Sequence, residues 1–165
     1  MCKKYVNASV RCFKSITLNG NNIVSYDVPF VKIFVDTNTT EISISDFFLV
    51  TTIDFLGTNN ENHKNENMLE SKKKLDFIIR LTKCSADENK RIGCDLDTFS
   101  IDLNEMYKQD QVNQACFGFF NYTRNTKIDK LKLPGGSGKY VIKVLIKEAD
   151  EEDYTIQTMS QLLVI

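Results

Sequence analysis

From Val6 to Leu18 the even positions read Val6, Ala8, Val10, Cys12, Lys14, Ile16 and Leu18, while Asn7, Ser9, Arg11, Ser15 and Thr17 fill most odd ones. This period-2 alternation predicts a half-buried strand. The Asn19-Gly20-Asn21-Asn22 turn predicts a hairpin into Ile23–Asp36. Pro29 has no amide hydrogen to give a ladder and marks an edge, bulge or break there. After a turn at Thr37–Thr40, Ile42 and Ile44 share one face. Beyond Asp46 the shared set becomes Phe47, Leu49, Ile53 and Phe55. Such a phase slip predicts a β-bulge, a strand crossing between sheets, or a short turn at Ser45-Asp46.

Alternation resumes in Leu75–Lys83 (Leu75, Phe77, Ile79, Leu81) and in Asp97–Leu103 (Phe99, Ile101, Leu103), with the polar Cys84–Cys94 between them read as loop. Cys116–Thr123 is apolar on both faces, as in a central strand. Tyr140–Lys147 alternates most cleanly, and Tyr154–Ile165 closes the chain with Leu162 and Val164 continuing the face of Tyr154 and Ile156. Asn104 can cap one or two helical turns. Residues 57–67 contain no apolar side chain, so 57–74 reads as a long Asn-rich mobile surface loop inside a single domain spanning 1–165. The chain holds 15 Ile, 11 Val and 13 Thr against four Ala, a composition that favours strands. The expected fold is all-β: an antiparallel two-sheet β-sandwich of about eight or nine strands with at most a short helix.

The segment Leu133-Pro134-Gly135-Gly136-Ser137-Gly138-Lys139-Tyr140-Val141-Ile142-Lys143-Val144 resembles the approach into strand F of immunoglobulin-like sandwiches. The resemblance implies that Gly138 is the turn glycine and Tyr140 a corner tyrosine bonding back to the upstream backbone. Tyr154–Ile165 would then be the last strand. The chain departs from the family at Gly136, where an acid is usual, at Ile142 in place of the second disulfide cysteine, and in having no tryptophan.

Acids and bases nearly balance, 22 against 21 in 165 residues, and only four arginines are present. No nucleic-acid surface is expected from that balance. Nor is a membrane contact expected, since no apolar run is long enough to span a bilayer. The N-terminal residues lack the apolar stretch of a secretory signal, so a cytoplasmic location is expected unless an upstream segment has been removed. Cys2, Cys12, Cys84, Cys94 and Cys116 are odd in number and include no C-x-x-C pair, so free thiols are expected. Acceptor sequons at Asn7, Asn38 and Asn121 read as coincidences in an Asn-rich chain. The abundance of Lys, Asn and Ile suggests an AT-rich genome, such as that of a low-GC bacterium or its phage.

Gly135-Gly136-Ser137-Gly138-Lys139 invites comparison with a phosphate loop, but Leu133 replaces the first glycine, Tyr140 follows the lysine, and a strand follows rather than a helix. His63, the lone histidine, lies in the Asn-rich segment with nothing to orient it as a base. One histidine and scattered cysteines give no zinc set, and Cys84 and Cys94 read as plain thiols. Asp150 and Asp153 in the acidic turn, with Asp95 and Asp97, are weak candidates for calcium at one end of a C2-like sandwich. They lack spaced ligands, and a solvated turn is the simpler account. An enzymatic reading would use carboxylates such as Asp95 and Asp97. Phe117, Phe119, Phe120 and Tyr122 fit core packing better than a base-stacking platform.

What remains is an interaction face: Lys139, Val141, Lys143, Leu145 and Lys147, joined by Leu163 and Ile165 from the C-terminal apolar run. The expected function is that of a non-catalytic protein-binding or structural module without a cofactor, its partner being another protein or a second copy of itself. The alternative is a small-molecule or calcium-binding sandwich with its ligand at the loop end.

Overall fold

The computed structural model describes residues 6–19, 22–26, 32–33, 43–56, 74–84, 92–103, 105, 119–133 and 135–164. In chain order the strands are β1 (Val6–Phe13), β2 (Ile16–Asn19), β3 (Asn22–Tyr26), β4 (Lys32–Ile33), β5 (Ser43–Leu56), β6 (Lys74–Lys83), β7 (Gly93–Asp102), β8 (Phe119–Lys132), β9 (Gly138–Glu148) and β10 (Thr155–Val164). The smaller sheet has the order β1-β5-β8 and the larger β4-β10-β9-β6-β7, while among the described residues β2 and β3 pair only with each other. Among the described residues all pairings are antiparallel except that of the two-residue β4, which runs parallel to the end of β10. The expected all-β two-sheet sandwich is therefore the fold.

The two layers enclose one apolar core. Val6, Ala8, Val10 and Cys12 from β1 and Phe47, Leu49, Ile53 and Phe55 from β5 line one side. Leu75, Phe77, Ile79 and Leu81 from β6 and Tyr140, Ile142, Val144 and Ile146 from β9 line the other. Full burial of each Val, Leu, Ile or Phe side chain among them contributes about 1.5–3 kcal/mol against chain entropy. The period-2 residues of these strands enter the core because successive Cβ atoms alternate between faces.

Several boundaries differ from the sequence reading. The strand begun at Val6 ends at Phe13; Ile16–Asn19 belongs to a separate hairpin in which Asn19 pairs with Asn22. The phase slip at Asp46 is neither a crossing between sheets nor a turn. Asp46 has a left-handed backbone, φ 52°, yet β5 keeps its register with β8 on both sides, Ser45 opposite Lys130 and Phe47 opposite Ile128. The segment Cys84–Cys94 is not all loop, because β7 already starts at Gly93. Cys116–Thr123 is not a central strand: among the described residues β8 pairs with β5 alone, and it runs on to Lys132. Ile156 does not share the face of Leu162 and Val164. A register shift between Ile156 and Thr158 turns Ile156 outward, 45% exposed. Pro29, His63, Cys2, Cys116, Phe117 and Ile165 lie outside the described residues, as do residues 57–73 and, apart from Glu105, the segment Asn104–Ala115.

Candidate interaction face

The outer face of the larger sheet carries the row foreseen on β9. Lys139, Val141, Lys143, Leu145 and Lys147 point away from the core because Tyr140, Ile142, Val144 and Ile146 point into it, but Leu145 is covered on that face and only 9% exposed. Register fixes what stands beside each. On β10, Leu163 faces Lys139, Met159 faces Lys143 and Ile156 faces Leu145; on β6, Arg80 faces Lys143, Ile78 faces Leu145 and Asp76 faces Lys147. Ile156 and Met159 are 45% and 59% exposed, and Ile156 lines a groove of about 550 Å³. Arg80, Asp95, Lys143, Leu145, Tyr154 and Ile156 are among its lining residues.

The charges in the groove are unequally satisfied. Arg80 is clamped by Asp95 through two bonds, Nε to Oδ1 at 2.5 Å and Nη2 to Oδ2 at 3.2 Å, and hydrogen bonding to Asp95 raises the guanidinium pKa. Lys147 donates to the Glu151 carbonyl at 3.4 Å, and its Nζ lies 5.1 Å from the centroid of the Tyr154 ring. Burial, then the nearby charges of Asp76 and Asp95, push the Tyr154 phenol up. Asp76 accepts from Ser100 Oγ at 2.6 Å. Lys143 faces the cation Arg80, and among the described residues no acid pairs with it.

The structure separates the two carboxylates read as a candidate pair. Ile79 stands opposite Asp97 and Arg80 opposite Asp95, so the chain bulges at Leu96. This extra residue leaves Asp97 on the inner face with Ile79 and sends Asp95 to the outer face with Arg80. Asp97 accepts from Arg124 Nε at 2.7 Å and Nη2 at 3.2 Å, from Thr126 Oγ1 at 2.6 Å and from the Thr98 amide at 2.9 Å. Burial raises its pKa, and the Arg124 and Thr126 bonds, the Arg124 charge and the Thr98 amide more than offset that, holding it below the usual carboxylate value. Asp95 and Asp97 thus each serve an arginine on opposite faces and do not converge on a common point.

The acidic turn is organised by its own backbone. The Glu148 amide donates to Glu151 Oε2 at 2.8 Å and the Glu151 amide to the Glu148 carbonyl at 2.9 Å, while Asp150 and Asp153 are exposed. Among the described residues no three acidic, histidine or cysteine side chains gather where a cation could be held. Cys12, Cys84 and Cys94 are free thiols, and burial pushes the Cys12 thiol up to about 12.

The glycine-rich segment forms a corner. Tyr140 Oη donates to the Gly136 carbonyl at 2.7 Å, Lys83 Nζ donates to the Gly135 carbonyl, and Gly136 and Gly138 have φ of 68° and 140°. Its chain leads into β9, a strand, so no helix N-terminus is there to hold a phosphate.

Sequence reasoning placed Lys139 to Lys147 and Leu163 on one face, and the structure brings these six together. Ile165 is outside the described residues. Arg80, Tyr154, Ile156 and Met159 were missed. Met159, apolar between Thr158 and Ser160, carried the one local signal. No protein-family model and no curated protein matches this chain. Among the described residues no helix is long and apolar enough to cross a membrane.

Proposed function

We propose that this chain is a non-catalytic protein-binding module that engages its partner through the outer face of the larger sheet. The observation that carries the reading is the pair Ile156 and Met159, two large apolar side chains open to solvent at 45% and 59%, Ile156 lining the groove and Met159 standing opposite Lys143 of β9. Apolar groups ringed by polar ones are the usual anatomy of a contact patch. The Tyr140–Gly136 hydrogen bond supports an immunoglobulin-like reading of the sandwich, and the three free thiols support action in the cytoplasm.

The test is a photo-crosslinking amino acid placed at Met159 and, as a control, at exposed Asn121 on the smaller sheet, in cells of the source organism. A discrete adduct from position 159 that is lost on Ile156→Asp, with none from position 121, supports the reading. Equal labelling from both positions, or none from either, overturns it. A second reading, a small ligand in the groove, is favoured by its 550 Å³, a size within the roughly 300–1,000 Å³ of ligand pockets. Thermal stabilisation of the purified protein by a nucleotide or metabolite panel, lost on Arg80→Ala, would select it.

A further inference from the structure

We infer that the occupant of this face is an extended segment of a partner protein whose same-side residues alternate between acidic and apolar. The inference rests on the protein-binding reading above and adds the chemistry of the partner.

Three observations lead there. First, the β9 row itself alternates, Lys139, Val141, Lys143, Leu145, Lys147, so cations recur every fourth residue. At strand rise that is roughly 13 Å, and an extended partner has the same rise, so acids four residues apart meet successive lysines while the residue between them meets half-buried Val141 or, beside buried Leu145, its open cross-strand neighbour Ile156. Second, Lys143 stands directly opposite Arg80, a like-charge cross-strand pair that costs stability. Asp95 satisfies Arg80 from the far side, but among the described residues nothing satisfies Lys143. A carboxylate arriving from outside would be received by the lysine without first breaking an internal ion pair. Third, the apolar groups open to solvent flank that lysine: Met159 is its cross-strand neighbour, and Ile156 lines the groove with it. A purely acidic strand would leave both uncovered, and a purely apolar one would desolvate Lys143 without compensation. Only a segment carrying both kinds of group on one side matches the row.

The experiment is fluorescence anisotropy of the whole purified chain with a labelled synthetic peptide in which glutamate, serine, leucine and serine repeat. The control peptides replace glutamate by lysine, or leucine by serine. The expected result is binding of the first peptide alone, weakening as salt is added. Lys143→Glu, with its fold checked by thermal denaturation, should weaken binding by at least about tenfold, and Lys143→Arg should restore most of it. Three results would overturn the inference: no binding of the acidic-apolar peptide, equal binding of the lysine peptide, or indifference to Lys143→Glu. Light scattering showing a dimer that dissociates on Lys143→Glu would also overturn it, by naming a second copy as the occupant. If the peptide fails but the position-159 adduct persists, the protein-binding reading stands and only the acidic-apolar class is lost. If both fail, both are lost.

Discussion

Arg124 on β8 reaches across from the smaller sheet to clamp Asp97 on β7 of the larger one, with its guanidinium carbon 5.0 Å from the centroid of Phe99. Both residues point inward. Arg124 stands opposite buried Thr51 and Asp97 opposite buried Ile79. Among the described residues β7 and β8 each have one hydrogen-bonded neighbour, so this pair closes the sandwich along the seam where two sheet edges meet. Tyr122, stacked on Phe99 at 6.0 Å, continues the closure. Asp97→Ala removes the acceptor for Arg124 and Thr126 at once. Buried pairs broken on one side lose more, but the Arg124 side chain is 36% exposed, so solvent screens part of the loss. The expected cost is about 1–2 kcal/mol, read as a lower urea midpoint with unchanged slope.

The same carboxylate gives the stability a defined dependence on acidity. Its folded pKa lies below the ordinary value of 3.8, so the unfolded chain takes up its proton first as pH falls. The contribution is fully present above that value and is lost as pH drops through the folded pKa. The stability gap between wild type and Asp97→Asn should be constant at neutral pH and shrink below about pH 4. Urea titrations at a series of pH values test this; a gap that widens on acidification would contradict it.

An inward charge and a bulge on an edge strand also deter pairing with foreign strands. β7 has both, in Asp97 and at Leu96. Replacing the pair by the double variant Asp97→Leu, Arg124→Leu removes the desolvation burden along with the bond, so the stability loss should be smaller than for Asp97→Ala alone. The double variant should nevertheless aggregate faster on incubation near its midpoint, measured by turbidity. Equal aggregation would show that the bulge alone protects the edge.

These features explain where the sequence was readable. Strands β6 and β9 were plain because one face of each is wholly apolar, Leu75 to Leu81 and Tyr140 to Ile146. The second half of β8 was not, since its inner face includes Arg124 and Thr126, whose partner Asp97 lies 27 and 29 residues away. The bulges at Leu96 and near Gln157 hid the start of β7 and misplaced Ile156, because one extra residue inverts every face beyond it. The lysine row lies within one strand and was legible locally. The groove needs Arg80 and Tyr154 from other segments, and cross-strand register is not written in any window of alternating residues.

The corner at Tyr140 makes a further test. Tyr140 is fully buried, and its hydroxyl satisfies the Gly136 carbonyl. Tyr140→Phe leaves that carbonyl unpaired beside the ring and should cost about 1–2 kcal/mol. Gly138→Ala should cost as much for a different reason: at φ 140° a side chain is strained, and the new Cβ would sit 3.0 Å from Lys83 Cε. Lys83→Ala combined with Gly138→Ala clears the contact but keeps the strain. If the double variant remains as unstable as the sum of the singles, backbone conformation dominates.

Asp46 offers a prediction with two distinct outcomes at one position. Its φ of 52° is the left-handed region, which short polar side chains tolerate and β-branched ones do not. The residue is exposed, so substitution there perturbs little packing. Asp46→Gly relieves the conformational cost but adds freedom to the unfolded chain, and the two terms nearly cancel, leaving stability within about 0.5 kcal/mol of wild type. Asp46→Val gains no such relief and should lose about 1–2 kcal/mol. Both strands flanking the site change phase together, from Ile44 opposite Leu131 to Phe47 opposite Ile128, so a residue that flattened position 46 would push one side of this step out of the core. Hydrogen exchange localises the outcome. In Asp46→Val the amides of Ile44, Phe47, Ile128 and Leu131 should lose protection ahead of those at Ile53 and Tyr122. Uniform loss along β5 would mean that the kink is not an independent hinge of the sheet.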